Sequence, residues 1–129
     1  MIVVDASVLF HVLMDPALEP QVLTRMQAGG DLAAPHLIDF EVANAIRRGV
    51  LSKNYSTGRA EQALIDLQDF TIERYPAAAM LHRIWQLRSN VTVYDASYVA
   101  LAEFLAVPLL TRDRRLASAA GVKATVVLL

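Results

Sequence analysis

The chain has 129 residues, 12 Lys and Arg against 13 Asp and Glu, a net charge of −1 and no cysteine. The length suits one domain over residues 1–129 with a sizeable core, and the missing cysteines exclude disulfides, thiolate metal sites and cysteine nucleophiles. Balanced charge gives no global footprint for nucleic acid, so an RNA would have to be attracted by a local cluster of Lys and Arg.

In chain order, Ile2-Val3-Val4 is a β-branched run ended by Asp5, suited to a strand buried on both faces of a parallel sheet. Ser7 to Phe10 follow as a helical turn that Asp5 or Ser7 can cap. Pro16 and Pro20 punctuate the next stretch, and Gln21 to Ala28 read as a helix stopped by Gly29-Gly30. Asp31 to Ala34 form a short second strand before Pro35. A helix is expected from Leu37 to Asn54, with Val42, Ile46 and Val50 stacked on its buried face. Ser56-Thr57 cap a helix carrying Ala60, Leu64 and Leu67. Phe70 to Ile72 read as strand and Ala77 to Arg88 as helix. Tyr94-Asp95 open a helix apolar nearly all round, with Ala96, Val99, Ala100, Leu101 and Leu105 marking it as a core element. Pro108 to Thr111 are a strand, Arg114 to Ala120 a helix closed by Gly121, and Thr125 to Leu128 a last strand. Strands alternating with helices give an α/β fold with a mostly parallel sheet.

Four acids fall where such a fold places ligands, beyond the carboxyl ends of strands or at helix starts. Asp5 ends the first strand, Glu41 lies early in the helix after Pro35, Asp95 opens the core helix, and Asp113 follows the strand ending at Thr111. Each also has a local role open to it: Asp5 and Asp95 as caps, Asp113 as a turn residue, Glu41 as an acid favoured by the helix dipole. Two details favour a joint role. Glu41, Asn44 and Arg48 share one helix face, opposite Val42, Ile46 and Val50, and Asp95 sits in the most apolar helix, where a lone carboxylate is costly. Carboxylates brought close together need a cation, and hard oxygen donors without His or Cys select Mg2+ or Mn2+. Such a site suits phosphodiester cleavage.

The segments around these acids resemble the PIN-domain family, and more closely its VapC-type toxins of bacterial toxin–antitoxin pairs. The resemblance rests on Ile2-Val3-Val4-Asp5-Ala6-Ser7, on Pro35 with Glu41-Val42-Ala43-Asn44, on Tyr94 to Ala102, and on Leu110 to Leu116. These pieces stand in the family's order and span the chain. The resemblance implies a three-layer PIN-like fold and an endoribonuclease dependent on Mg2+ or Mn2+, held inactive by a cognate antitoxin protein. It makes Asp5, Glu41, Asp95 and Asp113 the metal-binding and catalytic acids, with Glu41 and Asp113 able to act through water. Ser7 and Thr111 become the small hydroxyls beside the metal, and Asn44 a polar helix partner. Some relatives carry one more acid past the last Asp; none stands between Arg114 and Ala119 here, so the resemblance does not extend to a second tightly held metal. A homodimer is expected.

Arg112, Arg114 and Arg115 flank Asp113 and suit RNA phosphates, with Arg47 and Arg48 extending the track; the alternative is a solvated basic turn. His11, His36 and His82 lack metal-site spacing and read as structural. Trp85 reads as core or interface, and Lys123 as solvated. The apolar share of 55% exceeds the usual ~45–50%. Alanine accounts for part of it, and apolar surface for a partner is the other reading. MIVVDASVLF lacks a basic leader segment and breaks at Asp5, and no uncharged apolar run approaches the ~18 residues that span a bilayer. A cytoplasmic location without membrane contact is expected. The rival readings are a PIN-like interaction protein without activity and a phosphoryl-transfer domain. For a dehalogenase-type phosphatase, Ser7 stands where a second Asp is needed.

Overall fold

The structure, a computed structural model, describes residues 1–15 and 20–129; the expected break at Pro16 lies outside them. The elements run β1 (Ile2–Val4), α1 (Ala6–Met14), α2 (Pro20–Ala28), β2 (Leu32–Pro35), α3 (Leu37–Leu51), α4 (Thr57–Asp69), β3 (Ile72–Tyr75), a 3-10 turn (Ala78–Met80), α5 (Leu81–Gln86), α6 (Val93–Leu105), β4 (Leu109–Thr111), α7 (Arg114–Ala117) and β5 (Val126–Leu128). The sheet has the order β3-β2-β1-β4-β5, and every neighbouring pair is parallel. The mostly parallel sheet expected from the sequence is therefore parallel throughout.

That order fixes the layers. From β1 the chain steps outward to β2 and then β3, and it returns past β1 to add β4 and β5. Crossovers between parallel strands are right-handed, so opposite directions of travel put helices on opposite faces. The group α1 to α4 thus covers one face, while α5 and α6 cover the other. The result is the expected three-layer α/β architecture. Val3, Val4, Ala33, Ala34 and Leu109 are fully buried, or nearly so, in the three central strands, as a sheet covered on both faces requires. The core helix α6 buries Ala96 through Ala102 without a break.

Several boundaries differ from the sequence reading, each for a local reason. Helix α1 continues to Met14 because Val8, Leu9, Val12 and Leu13 extend one buried stripe. Helix α3 stops at Leu51, three residues early: Lys53 turns to a φ of 60°, and the N–H groups of Asn54 and Tyr55 donate back to the Gly49 carbonyl. Strand β3 starts at Ile72 rather than Phe70, since α4 runs to Asp69 and pairing with β2 begins at Leu32 opposite Ile72. The expected helix 77–88 divides into the 3-10 turn and α5. Helix α7 spans four residues; its end closes with Ser118 and Ala119 N–H bonds, before Gly121 takes a φ of 79°. No helix among the described residues is long and apolar enough to cross a membrane.

Candidate active site

Strands β1 and β4 are neighbours whose outgoing connections lead in opposite directions, one to β2 and the other to β5. Such a switch point opens a crevice at the carboxyl ends of the two strands. Asp5 stands at the end of β1, and its N–H donates to the Leu110 carbonyl of β4 at 3.1 Å. Its side chain is 6% exposed and caps α1: Oδ1 accepts from Val8 N–H at 3.1 Å and from Ser7 Oγ at 2.5 Å. Thr111 Oγ1 donates to Oδ2. Both hydroxyls are themselves tied to the chain after β4, Ser7 Oγ accepting from Arg112 N–H at 3.0 Å and Thr111 Oγ1 from Asp113 N–H at 2.9 Å. Asp5 is therefore both a cap and a cleft residue, clamped by two hydroxyls. Burial pushes its carboxyl above the usual range, against the opposing pull of those hydrogen bonds.

The other three acids arrive from separate elements. Glu41, one turn into α3, accepts a 2.6 Å hydrogen bond from Tyr98 Oη of α6. Burial raises its carboxyl; the Tyr98 bond opposes, and the charges of Asp95 and Asp5 add to the rise. Asp95 lies in the first turn of α6, where Thr92 rather than Asp95 is the cap and accepts the Asp95 N–H at 3.1 Å. Burial raises the Asp95 carboxyl and nearby Asp113 adds to this, while the Thr92 hydrogen bond and Arg115 pull it down. Asp113 caps α7 by accepting from Arg115 N–H at 2.8 Å.

All four acids line one cleft of about 810 Å³, with Ala6, Ser7, Phe10, Arg48, Tyr98 and Arg112 among its other walls. Thr111 is wholly buried beneath it and acts through Asp5. Arg114 and Arg115 are exposed and off the cleft lining, as is Asn44, which the structure does not bring to the acids. Among the described residues no three His, Asp or Glu stand close enough to surround one ion directly. His11, read as structural, lines the cleft; of the core and interface readings of Trp85, its 61% exposure under Arg88 excludes core. Lys123 is exposed, as expected.

The residue that sequence reasoning passed over is Tyr98. It is 1% exposed and lies three positions after Asp95, so the two share a helix face. A buried tyrosine needs a partner for its hydroxyl; in an otherwise apolar helix that requirement was the available signal. Glu41 meets it.

A wholly parallel, doubly wound sheet with four acids at its switch point defines an α/β domain with an acidic cleft. The family model described as PIN domain matches residues 2–122, and the chain belongs to the PIN-domain family. It is 46% identical over 120 residues to Ribonuclease VapC1 of Mycobacterium tuberculosis (strain ATCC 25618 / H37Rv), covering 92% of this chain and 90% of that one. Among solved structures it is similar to PAE2754 from Pyrobaculum aerophilum, with a TM-score of 0.70, 26% identity, and coverage of 97% of this chain and 81% of that one. It also shares its fold with VapBC-5 from Mycobacterium tuberculosis, a member of the VapBC family of toxin-antitoxin systems; there the TM-score is 0.56 and the identity 24%, with 98% and 95% covered.

Proposed function

We propose that the chain is a metal-dependent endoribonuclease acting as the toxin of a toxin–antitoxin pair. The observation that carries this reading is the meeting of Asp5, Glu41, Asp95 and Asp113 in one cleft, three of them pushed up by burial and two of those also by a neighbouring acid. Uncompensated negative charge of this kind calls for a cation, and an all-oxygen donor set selects Mg2+ or Mn2+. Mg2+ keeps several waters and binds through one or two carboxylates, so the set fits although no three acids converge directly. Asp5 and Asp95 would hold the ion, with Glu41 and Asp113 reaching it through water. When bound, such an ion supplies a water of lowered pKa and positive charge for the scissile phosphate.

The chain's own residues position this chemistry. Ser7 and Thr111 fix the Asp5 carboxylate, and Tyr98 fixes Glu41. Arg112 lines the cleft beside Asp113 and can hold an RNA phosphate; Arg114 and Arg115 are exposed off the cleft lining, Arg115 within 3.8 Å of Asp113, where they can meet RNA beyond the cleft. The relative's name, Ribonuclease VapC1, supports the reaction class, and the VapBC-5 structure supports an antitoxin partner. Phe40, Leu51, Trp85 and Phe104 are each more than 60% exposed, apolar surface suited to an antitoxin or to a second copy in a homodimer.

The test is cleavage of single-stranded RNA in Mn2+ and in EDTA by the wild type and by Asp95→Asn. Cleavage by the wild type only in Mn2+, and none by a variant that keeps its melting transition, is the expected result. Equal cleavage by both proteins would overturn the site assignment. Growth arrest on expression without a partner, relieved by the same variant, tests the toxin role; full toxicity of Asp95→Asn would point to an interaction protein instead.

A further inference from the structure

The cleft is much larger than an ion needs. Six waters around a cation occupy roughly 180 Å³ at about 30 Å³ each, against about 810 Å³ available. The remainder runs along α3 away from the acids, past Ala45 and Arg48 to a wall formed by Phe10, Gly49, Ser52, Asn54 and Tyr55.

That wall is built rather than incidental. The chain reverses after Leu51 through the left-handed Lys53, and the Gly49 carbonyl accepts from both Asn54 N–H (2.9 Å) and Tyr55 N–H (3.3 Å). A Cβ at Gly49 would stand 2.3 Å from Tyr55 Cδ2 and 2.6 Å from Cε2. Glycine inside a helix weakens it, and here its absent side chain is what seats the Tyr55 ring. Phe10 meets that ring edge to face, with centroids 6.3 Å apart and planes at 73°. Tyr55 stays only partly buried and lines the cleft together with Asn54 and Ser52, whose hydroxyl donates to the Gly49 carbonyl at 3.2 Å. Arg48 follows Glu41 by seven residues, two helical turns along the same face, about 10 Å farther along the α3 axis at 1.5 Å per residue.

We propose that this far half of the cleft is a nucleotide subsite: a base of single-stranded RNA lies against Tyr55, its polar edge is met by Asn54, and its phosphate rests on Arg48. A seated aromatic face, a cation and a side-chain amide in one trough are the elements by which unstacked RNA is recognised. The choice of RNA rests on the nuclease reading above; the trough itself does not. The subsite determines which nucleotide flanks the cut, and the acids determine whether it is cut.

The test uses the full chain and a short fluorescein-labelled single-stranded RNA, with binding followed by anisotropy in EDTA so that no cleavage intervenes. Tyr55→Leu is expected to weaken binding roughly five- to a hundredfold, while Tyr55→Phe, which keeps the ring, binds as the wild type does. Arg48→Ala lowers the slope of log affinity against log salt by about 0.7. Arg25→Ala, an exposed charge on α2 away from the cleft, leaves affinity in place. In Mn2+, Asn54→Ala shifts the nucleotide preference of cut sites mapped in a randomised RNA pool. If Tyr55→Leu and Arg48→Ala keep normal melting and match the wild type in affinity, the subsite is refuted, whether or not RNA is cleaved. A Tyr55→Leu protein that melts low but binds normally likewise assigns Tyr55 to packing alone and overturns the proposal. Binding that follows the expected pattern, with RNA left intact by the wild type in Mn2+, supports the subsite and refutes the nuclease reading instead.

Discussion

Replacing Tyr98 by phenylalanine removes one oxygen from a site that is otherwise unchanged. The ring is 1% exposed, and phenylalanine fills the same space, so packing is retained. What is lost is a 2.6 Å hydrogen bond to the Glu41 carboxylate. Hydrogen bonds to charged groups contribute ~1.5–3 kcal/mol, but Glu41 is partly exposed and recovers a water. The net loss should be about 1–1.5 kcal/mol, a fall of roughly 3–7 °C in melting temperature for a domain of this size. The larger consequence concerns metal. Without the hydroxyl, Glu41 is free to turn, and burial and its acidic neighbours raise its carboxyl unopposed. Loss of a group that orients a ligand typically weakens metal binding ~10–100-fold. Calorimetric titration of Mn2+ into both proteins at neutral pH measures this directly. Melting with and without Mn2+ gives an independent reading, because a tenfold loss of affinity removes about 1.4 kcal/mol of metal-induced stabilisation at saturating ion. A Tyr98→Phe protein that melts lower yet binds Mn2+ as tightly as the wild type would refute the positioning role and leave Tyr98 as a packing residue.

Two further predictions concern pH, with opposite signs. Asp5, Glu41 and Asp95 all have carboxyls raised in the folded state, so they bind protons more tightly folded than unfolded. Their contribution in the metal-free protein is most favourable below the ordinary carboxylate range and falls as pH rises through the raised native values. Melting temperature should therefore decline more steeply between pH 4 and 7 in the wild type than in Asp5→Asn, and saturating Mn2+ should flatten the wild-type curve; parallel curves without metal would contradict the raised Asp5. The second site is the clasp in which Arg83 donates to both Glu103 oxygens, at 2.6 and 3.0 Å, and to the Gly121 carbonyl at 2.7 Å. Burial works to raise the Glu103 carboxyl, but Arg83 and the Lys123 N–H hold it below its ordinary value. Its contribution is thus present above the ordinary Glu range and is lost as pH falls through the depressed native value. Arg83→Met should cost ~1–3 kcal/mol at pH 7, and chemical denaturation should show the deficit shrinking in acid; equal stability at pH 7 would count against the clasp.

The elements whose residues are buried on all sides were legible from sequence alone. β1 and Leu109-Leu110 of β4 are unbroken apolar runs and α6 is apolar nearly all round, and the acids that end or open these elements were placed by the same pattern. Legibility failed where a tertiary contact overrides local preference. Nothing in the residues around Asn54 announces that α3 ends at Leu51, because the stop depends on Gly49 receiving Tyr55 and on the Phe10 ring from α1. Strand β3 is displaced by its pairing with β2, a partner that the run Phe70-Thr71-Ile72 does not contain. Asn44 shares a helix face with Glu41 by spacing, and the structure places it exposed and off the cleft lining. Tyr98 was hidden by its company, since a residue inside a core helix reads as core until the group receiving its hydroxyl is known.

The hydrogen bond between Thr111 and Asp5 joins residues 106 positions apart, and it orders events in the life of the chain. Asp5 leaves the ribosome well before the hydroxyl that clamps it, and before Asp113, both of which come only after α6 and β4 have been made. During synthesis the acids of β1, α3 and α6 exist without the strand that completes the cleft. Contacts of such long separation also form late in folding, because their loop-closure entropy is the largest. A polypeptide broken off before β4 therefore carries three of the four acids and no assembled cleft.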